Sequence, residues 1–177
     1  MSKGNGFSLV EVIATMAIAA IVLSVGVPSF QSYIQNNRQT AAINELATAL
    51  QLARNSAISR RIRVTICKSP DGNNCVVDGN TSDWTQGWII FSDANNDNIR
   101  DAGEDILRVH GPIQGNVTIS GGGNTNDSIS FSPNGLLASL NGTITYCDSR
   151  GNDHASALVI SRTGRVRFED NRNNLTC

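Results

Sequence analysis

Residues 9–27, LVEVIATMAIAAIVLSVGV, are apolar apart from one charged side chain, Glu11. At about 1.5 Å per residue, a helix of this length just spans the hydrocarbon core of a bilayer. Lys3 and the N-terminal amine precede the run, and no Lys or Arg follows before Arg38. That bias leaves the short N-terminus in the cytoplasm and exports the remainder. The competing reading is a secretory signal, with an apolar core of about 7–15 residues and a small-residue cleavage site behind it. Here the run is longer, carries an acid near its start and has no convincing site of that kind after it. A plain single-pass anchor accounts for the length but not for Glu11. An intramembrane acid costs roughly 2.5–3.5 kcal/mol at the bilayer centre, less near an end, and calls for a cationic partner.

The stretch Gly6-Phe7-Ser8-Leu9-Val10-Glu11 resembles the class III signal of type IV pilins and pseudopilins. The resemblance implies that residues 1–6 are a leader, cut behind Gly6 on the cytoplasmic side by a prepilin peptidase. Phe7 would become the N-methylated N-terminus. Glu11, fifth from that new end, would pair with the N-terminal amine of a neighbouring subunit. Pro28 stands where pilins commonly carry a helix-kinking proline.

Beyond the leader and anchor, roughly 150 residues remain, enough for one domain with a workable core. The net charge of −1 gives no global signal for a polyanionic partner. Cys67, Cys75, Cys147 and Cys177 all lie beyond the anchor, and an even count in an exported segment reads as two disulfides. Cys67 with Cys75 would clamp one hairpin, and Cys147 with Cys177 would tie the terminal residue back to the sheet.

After Pro28, Ile34, Ala41, Ala42, Leu46, Ala49, Leu50, Ala53 and Ala57 recur at spacings of three and four or their sums. This predicts an amphipathic helix to about Ser59. Joined to the anchor it would run roughly 75–80 Å if continuous, with a kink at Gly26 and Pro28. Arg60, Arg61 and Arg63 complement the dipole at its C-terminal end. About eight short strands follow, punctuated by Gly, Asn and Pro, among them residues 62–67, a return over residues 75–77, and residues 87–91. The fold class is therefore α+β. Residues 1–6 are the leader, 7–28 the transmembrane half of the helix, 29–60 its amphipathic half, and 61–177 a β-rich head with antiparallel sheet packed on the helix.

Several head segments look like those of the GspH/FimT family, the minor pilins of type IV pili and minor pseudopilins of type II secretion. They are Asp83-Trp84, Gly87-Trp88-Ile89-Ile90-Phe91, the Asp/Asn loop, Gly103-Glu104-Asp105-Ile106-Leu107-Arg108 and Gly164-Arg165-Val166-Arg167. The resemblance implies a two-sheet head and assembly at or near a filament tip.

Two polar clusters stand out. Residues 93–104 place Asp93, Asn95, Asp97, Asp101 and Glu104 at loop positions 1, 3, 5, 9 and 12, the spacing of an EF-hand calcium loop. Position 6 is Asn98 rather than Gly, and position 8 is Arg100. The other reading is a polar turn closed by Asx hydrogen bonds, with no cofactor. Arg162, Arg165, Arg167 and Arg172 form a basic cluster able to contact phosphates. A solvated strand face paired to Glu169 and Asp170 is the alternative. Some family members resemble this at a C-terminal Gly-Arg-x-Arg and bind DNA during natural transformation.

His110 and His154 have no Cys/His/Asp cluster at metal spacing around them, and no Ser/His/Asp arrangement or phosphate loop is present, so an enzyme is not expected. The reading is a minor type IV pilin that helps start or cap a pilus, a single-pass inner-membrane protein with a periplasmic head; the alternatives are a minor pseudopilin of type II secretion and a DNA-binding minor pilin for DNA uptake in natural transformation. Its partners are other pilins, the assembly machinery and the prepilin peptidase, with DNA as the rival ligand.

Overall fold

Residues 9–60, rich in Ala, Leu and Ile, form one α-helix, α1 (Leu9–Arg60). The computed structural model describes residues 8–77, 83–170 and 175–177. It divides into two compact units, Met1–Ala41 and Ala42–Cys177. In the first unit α1 passes through Gly26 and Pro28 without losing its helical assignment, although Pro28 has no N–H to donate. The hydroxyls there fold back on the helix: Thr15 donates to the Val12 carbonyl (2.9 Å), Ser24 to Ile21 (2.8 Å) and Ser29 to Val25 (2.9 Å). No hydroxyl of the three therefore enters an apolar medium unsatisfied. The helix is long and apolar enough to cross a bilayer.

In the second unit the stripe Ala42, Ile43, Leu46, Ala49, Leu50, Ala53 and Ala57 is buried. Ala41, expected on that stripe, is exposed, and Ile43 takes its place. Four of the seven buried residues are alanines, and small side chains let strands approach closely. The helix stops where Arg61 turns left-handed (φ 58°), a conformation that closes many helices.

Eight strands follow among the described residues: β1 (Val64–Lys68), β2 (Trp88–Ser92), β3 (Ile106–His110), β4 (Val117–Gly122), β5 (Ser128–Phe131), β6 (Gly142–Asp148), β7 (Ser156–Ile160) and β8 (Val166–Glu169). They make two antiparallel four-stranded sheets, ordered β3-β2-β1-β5 and β4-β6-β7-β8. The helix stripe, Val64, Ile66, Ile90, Ile129 and Phe131 of the first sheet, and Ile119, Ile144, Tyr146, Leu158 and Ile160 of the second share one core with Trp84 and Trp88. Alternate residues of the first sheet form a second cluster, Cys67, Ile89 and Phe91, packed by Cys75 and Ile106. Burial on both faces explains why β2 reads as a continuous apolar run, and β1, which alternates in the sequence, is buried throughout as well. His110 stacks flat on Trp88 (4.0 Å, 6°), and its Nε2 lies 3.2 Å from Glu45 Oε2, tying the edge strand to α1.

Residues 75–77 were expected as a strand paired with β1, and they are not one. Both edges of β1 are already occupied, by β2 and by β5, so only one bond returns, Val76 N–H to the Lys68 carbonyl (2.9 Å). Cys67 is joined to Cys75 across a turn whose centre is Asp71. The backbone N–H groups of Asn74 and Asn73 donate to Asp71 and hold its carboxyl well below the usual carboxylate range. Cys147 is joined to Cys177, thirty residues on. Closing a loop of that length restricts the unfolded chain by about 3–4 kcal/mol in the entropic account. Beside it, burial pushes the Asp148 carboxyl up, but the Arg150 side chain (2.6 Å) and N–H outweigh this and hold it low.

Candidate functional site

Three groups of residues carry the chemistry singled out in the sequence. The first is the apolar half of α1. Glu11 sits in its first turn, exposed among exposed apolar neighbours. A carboxylate there complements the positive end of the helix dipole, and from residue 9 to residue 37 it is the only charged side chain. Gly6 and Phe7 lie outside the described residues.

The second is the loop of residues 93–104 between β2 and β3. Its floor is a buried polar chain on β1 and its neighbour β5. Thr65, on β1, donates to Asp93 Oδ2 (2.7 Å) and lies 2.8 Å from the Ser130 hydroxyl, which reaches Asn98 Oδ1 (2.5 Å). Asn96 and Asn98 are left-handed (φ 65° and 66°), a region that Asn tolerates. The Asn98 N–H thereby donates to Asp93 Oδ2 at 3.2 Å. Asn95 Nδ2 donates to Asp97 Oδ2 and to Asp101 Oδ2, both at 2.9 Å. Glu104 staples the ends of the loop, its oxygens accepting the Ala94 N–H (2.7 Å) and the Asp101 N–H (3.1 Å). Arg63 donates to the Asn96 carbonyl (2.8 Å), and Arg100 reaches the Glu104 carbonyl (3.3 Å).

The third is the turn between β7 and β8. Arg162 and Arg165 are exposed there, and Arg167 on β8 is exposed and paired with Glu169 at 2.7 Å. A solvated pair of this kind contributes little to stability. Arg172 lies outside the described residues. The turn is held from below by Arg54, which donates to the carbonyls of Gly135 (2.9 Å) and Thr163 (3.0 Å). Gly164, left-handed at φ 74°, has no room for a Cβ, which would stand 2.3 Å from the Gly135 carbonyl oxygen.

Sequence reasoning missed Arg54, although a cation beside the apolar stripe at Ala53 was a visible signal. It also missed Lys68, fully buried at the end of β1 with its Nζ 2.8 Å from Asp127 Oδ1. The contact is an ion pair rather than an aligned hydrogen bond, for that oxygen has no hydrogen-bond partner. The alternation of β1 gave no sign that this lysine turns inward.

A long N-terminal apolar helix with two antiparallel sheets packed on its second half is the pilin-like fold. Residues 42–164 match the family described as type II transport protein GspH, and residues 1–27 match the prokaryotic N-terminal methylation motif. The chain belongs to the GspH family, whose members are structural pilins and pseudopilins. Among solved structures, the type IV minor pilin FimU of Pseudomonas aeruginosa is 26% identical, with a TM-score of 0.60 over 77% of this chain and 92% of that one. A second crystal form of FimU gives 27% identity and a TM-score of 0.57, over 73% and 91%. The minor pseudopilin EpsH of Vibrio cholerae, at 9% identity and a TM-score of 0.49 over 75% and 96%, is too distant to carry an argument. No curated protein matches the sequence.

Proposed function

We propose that this chain is a minor type IV pilin that primes or caps a pilus. The observation that carries the reading is the methylation motif running directly into an apolar helix with one carboxylate, in a chain 26% identical to a minor pilin over 92% of that pilin's length. In this reading the prepilin peptidase cuts behind Gly6, Phe7 is N-methylated, and Glu11 receives the amine of a neighbouring subunit. The head stays in the periplasm until assembly. The family description supports a second machine, type II secretion, which uses the same leader and helix. A strain lacking the gene separates them. Loss of surface pili with normal protein secretion supports the pilus, and the reverse assigns the chain to a pseudopilus.

The arginines favour one further reading, DNA capture. Among the described residues, the guanidinium groups of Arg162 and Arg165 have no hydrogen-bond or ion-pair partner. A few phosphate contacts give an affinity whose logarithm falls with log salt at a slope of about −0.9 per contact. The chain should therefore bind duplex without sequence preference in low salt and release it as salt rises. Arg162→Gln with Arg165→Gln should weaken binding and leave the melting temperature unchanged, since both side chains point to solvent. A gel shift unaffected by the double change, or no shift at low salt, removes the DNA reading.

A further inference from the structure

We propose that the loop of residues 93–104 binds a calcium ion through Asp93, Asn95, Asp97 and Asp101, with Glu104 as the staple that shapes the loop.

The central observation is Asp93. Its side chain is fully buried, and Oδ1 has no hydrogen-bond partner. The other oxygen accepts both the Thr65 hydroxyl of β1 and the Asn98 N–H of the loop, so the carboxylate stands at the junction of sheet and loop. A buried carboxylate oxygen with neither donor nor cation is costly, and a bound cation removes the cost.

An independent arrangement lies above it. Asp97 Oδ2 and Asp101 Oδ2 both touch Asn95 Nδ2 at 2.9 Å, so two carboxylates face each other across a neutral amide. A half-turn of that amide gives up the Asp97 N–H that its oxygen accepts (3.2 Å) and sets that oxygen between the two carboxylates. Three oxygens then converge, an arrangement that a cation stabilises. Among the described residues no three His, Cys, Asp or Glu side chains are gathered to hold a metal, so the proposed ligands must draw together, with the Asn95 amide among them, for an ion to bind. Glu104 already spends its oxygens on the Ala94 and Asp101 N–H groups and so acts as a positioning residue.

The donor set selects the ion. It is all hard oxygen, with no His or Cys, which disfavours zinc and copper. Carboxylate and amide oxygens on a pliable loop suit the six to eight ligands of Ca²⁺, whereas Mg²⁺ demands a small regular octahedron and keeps its waters. Arg63 and Arg100 are spent on carbonyls of the same loop. They lower its net charge, which points to the weak range of extracellular calcium modules, a Kd of about 10⁻⁴–10⁻³ M.

The test uses the full chain in detergent. At 5 mM Ca²⁺ and a Kd of about 0.5 mM, the folded state gains a factor of about 11, and the melting temperature should rise by about 5 °C over EDTA. Mg²⁺ at the same concentration should give under about 1 °C. Asp97→Asn with Asp101→Asn should abolish the calcium response. It should leave the melting temperature in EDTA equal or higher, because it removes two facing charges. Calorimetric titration of the unaltered chain with CaCl₂ reads binding directly, without any variant. Equal melting temperatures in EDTA and Ca²⁺ with no heat of binding, or an undiminished response in the double variant, would overturn the proposal.

Discussion

The Glu11→Val chain should reach the membrane and lose its leader as the unaltered chain does, yet be depleted about tenfold or more from sheared filaments. The factor corresponds to the loss of one ion pair worth roughly 1.4 kcal/mol. Valine makes the anchor more apolar, so insertion is not weakened. What disappears is the only charge between residues 9 and 37, the group proposed to register one helix against the amine of the next. Glu11→Gln, which keeps the shape and loses the charge, should behave like valine. Mass spectrometry of the processed chain supplies the control, since both variants should carry an N-methylated Phe7. Incorporation of Glu11→Val at the unaltered level would show that the carboxylate has no pairing role.

Gly121→Ala should destabilise the head by about 3 kcal/mol or more. A Cβ on Gly121 would stand 1.9 Å from the Thr125 carbonyl oxygen and 2.5 Å from its carbon. That carbonyl cannot yield cheaply, because it accepts the indole N–H of the buried Trp84 (3.1 Å). The Thr125 hydroxyl meanwhile takes the Gly122 N–H (3.1 Å) and lies 2.9 Å from the Thr143 carbonyl oxygen. Gly142→Ala meets the same residue differently, its Cβ falling 2.0 Å from the Thr125 methyl carbon. Thr125→Ser removes that methyl and keeps the hydroxyl, so it should rescue Gly142→Ala and fail to rescue Gly121→Ala. Gly103→Ala, with nothing within 4 Å, should change stability by less than about 0.5 kcal/mol. Chemical denaturation of these five variants, beside the unaltered chain and Thr125→Ser alone, measures all of this. Rescue of both glycine variants by Thr125→Ser would show that the backbone contact is not the limiting one.

The parts legible in the sequence were those where physical chemistry leaves few solutions. A bilayer admits a single segment only as a helix, so α1 could be read from its apolar run and its period. Strands such as β6 and β7 showed as short segments between Gly, Asn and Pro. Neighbourhood was harder, because it depends on contacts distant in the chain. Nothing local to Cys75 says that β5, more than fifty residues later, has already taken the edge of β1. Buried polar side chains were equally hidden. Thr65 and Ser130 have the look of solvent-facing positions, and only their placement beneath residues 93–104 shows that they support Asp93. In the loop itself the spacing of the acids was visible. The division of labour between ligand and staple at Glu104 was not, because it rests on which backbone N–H groups the fold brings to that carboxylate.

The bare half of α1 has a consequence for exchange. Thirteen large apolar side chains between Leu9 and Tyr33 are exposed. Wetting them costs on the order of 20–40 kcal/mol at about 1.5–3 kcal/mol each, so the population of free chains in water is vanishingly small. In the proposed filament, a subunit can pass only from lipid to neighbouring helices and back, never through the aqueous phase. Composition can then change only where a filament touches its membrane. Once sheared away, a filament is a sealed record of the order in which its subunits entered.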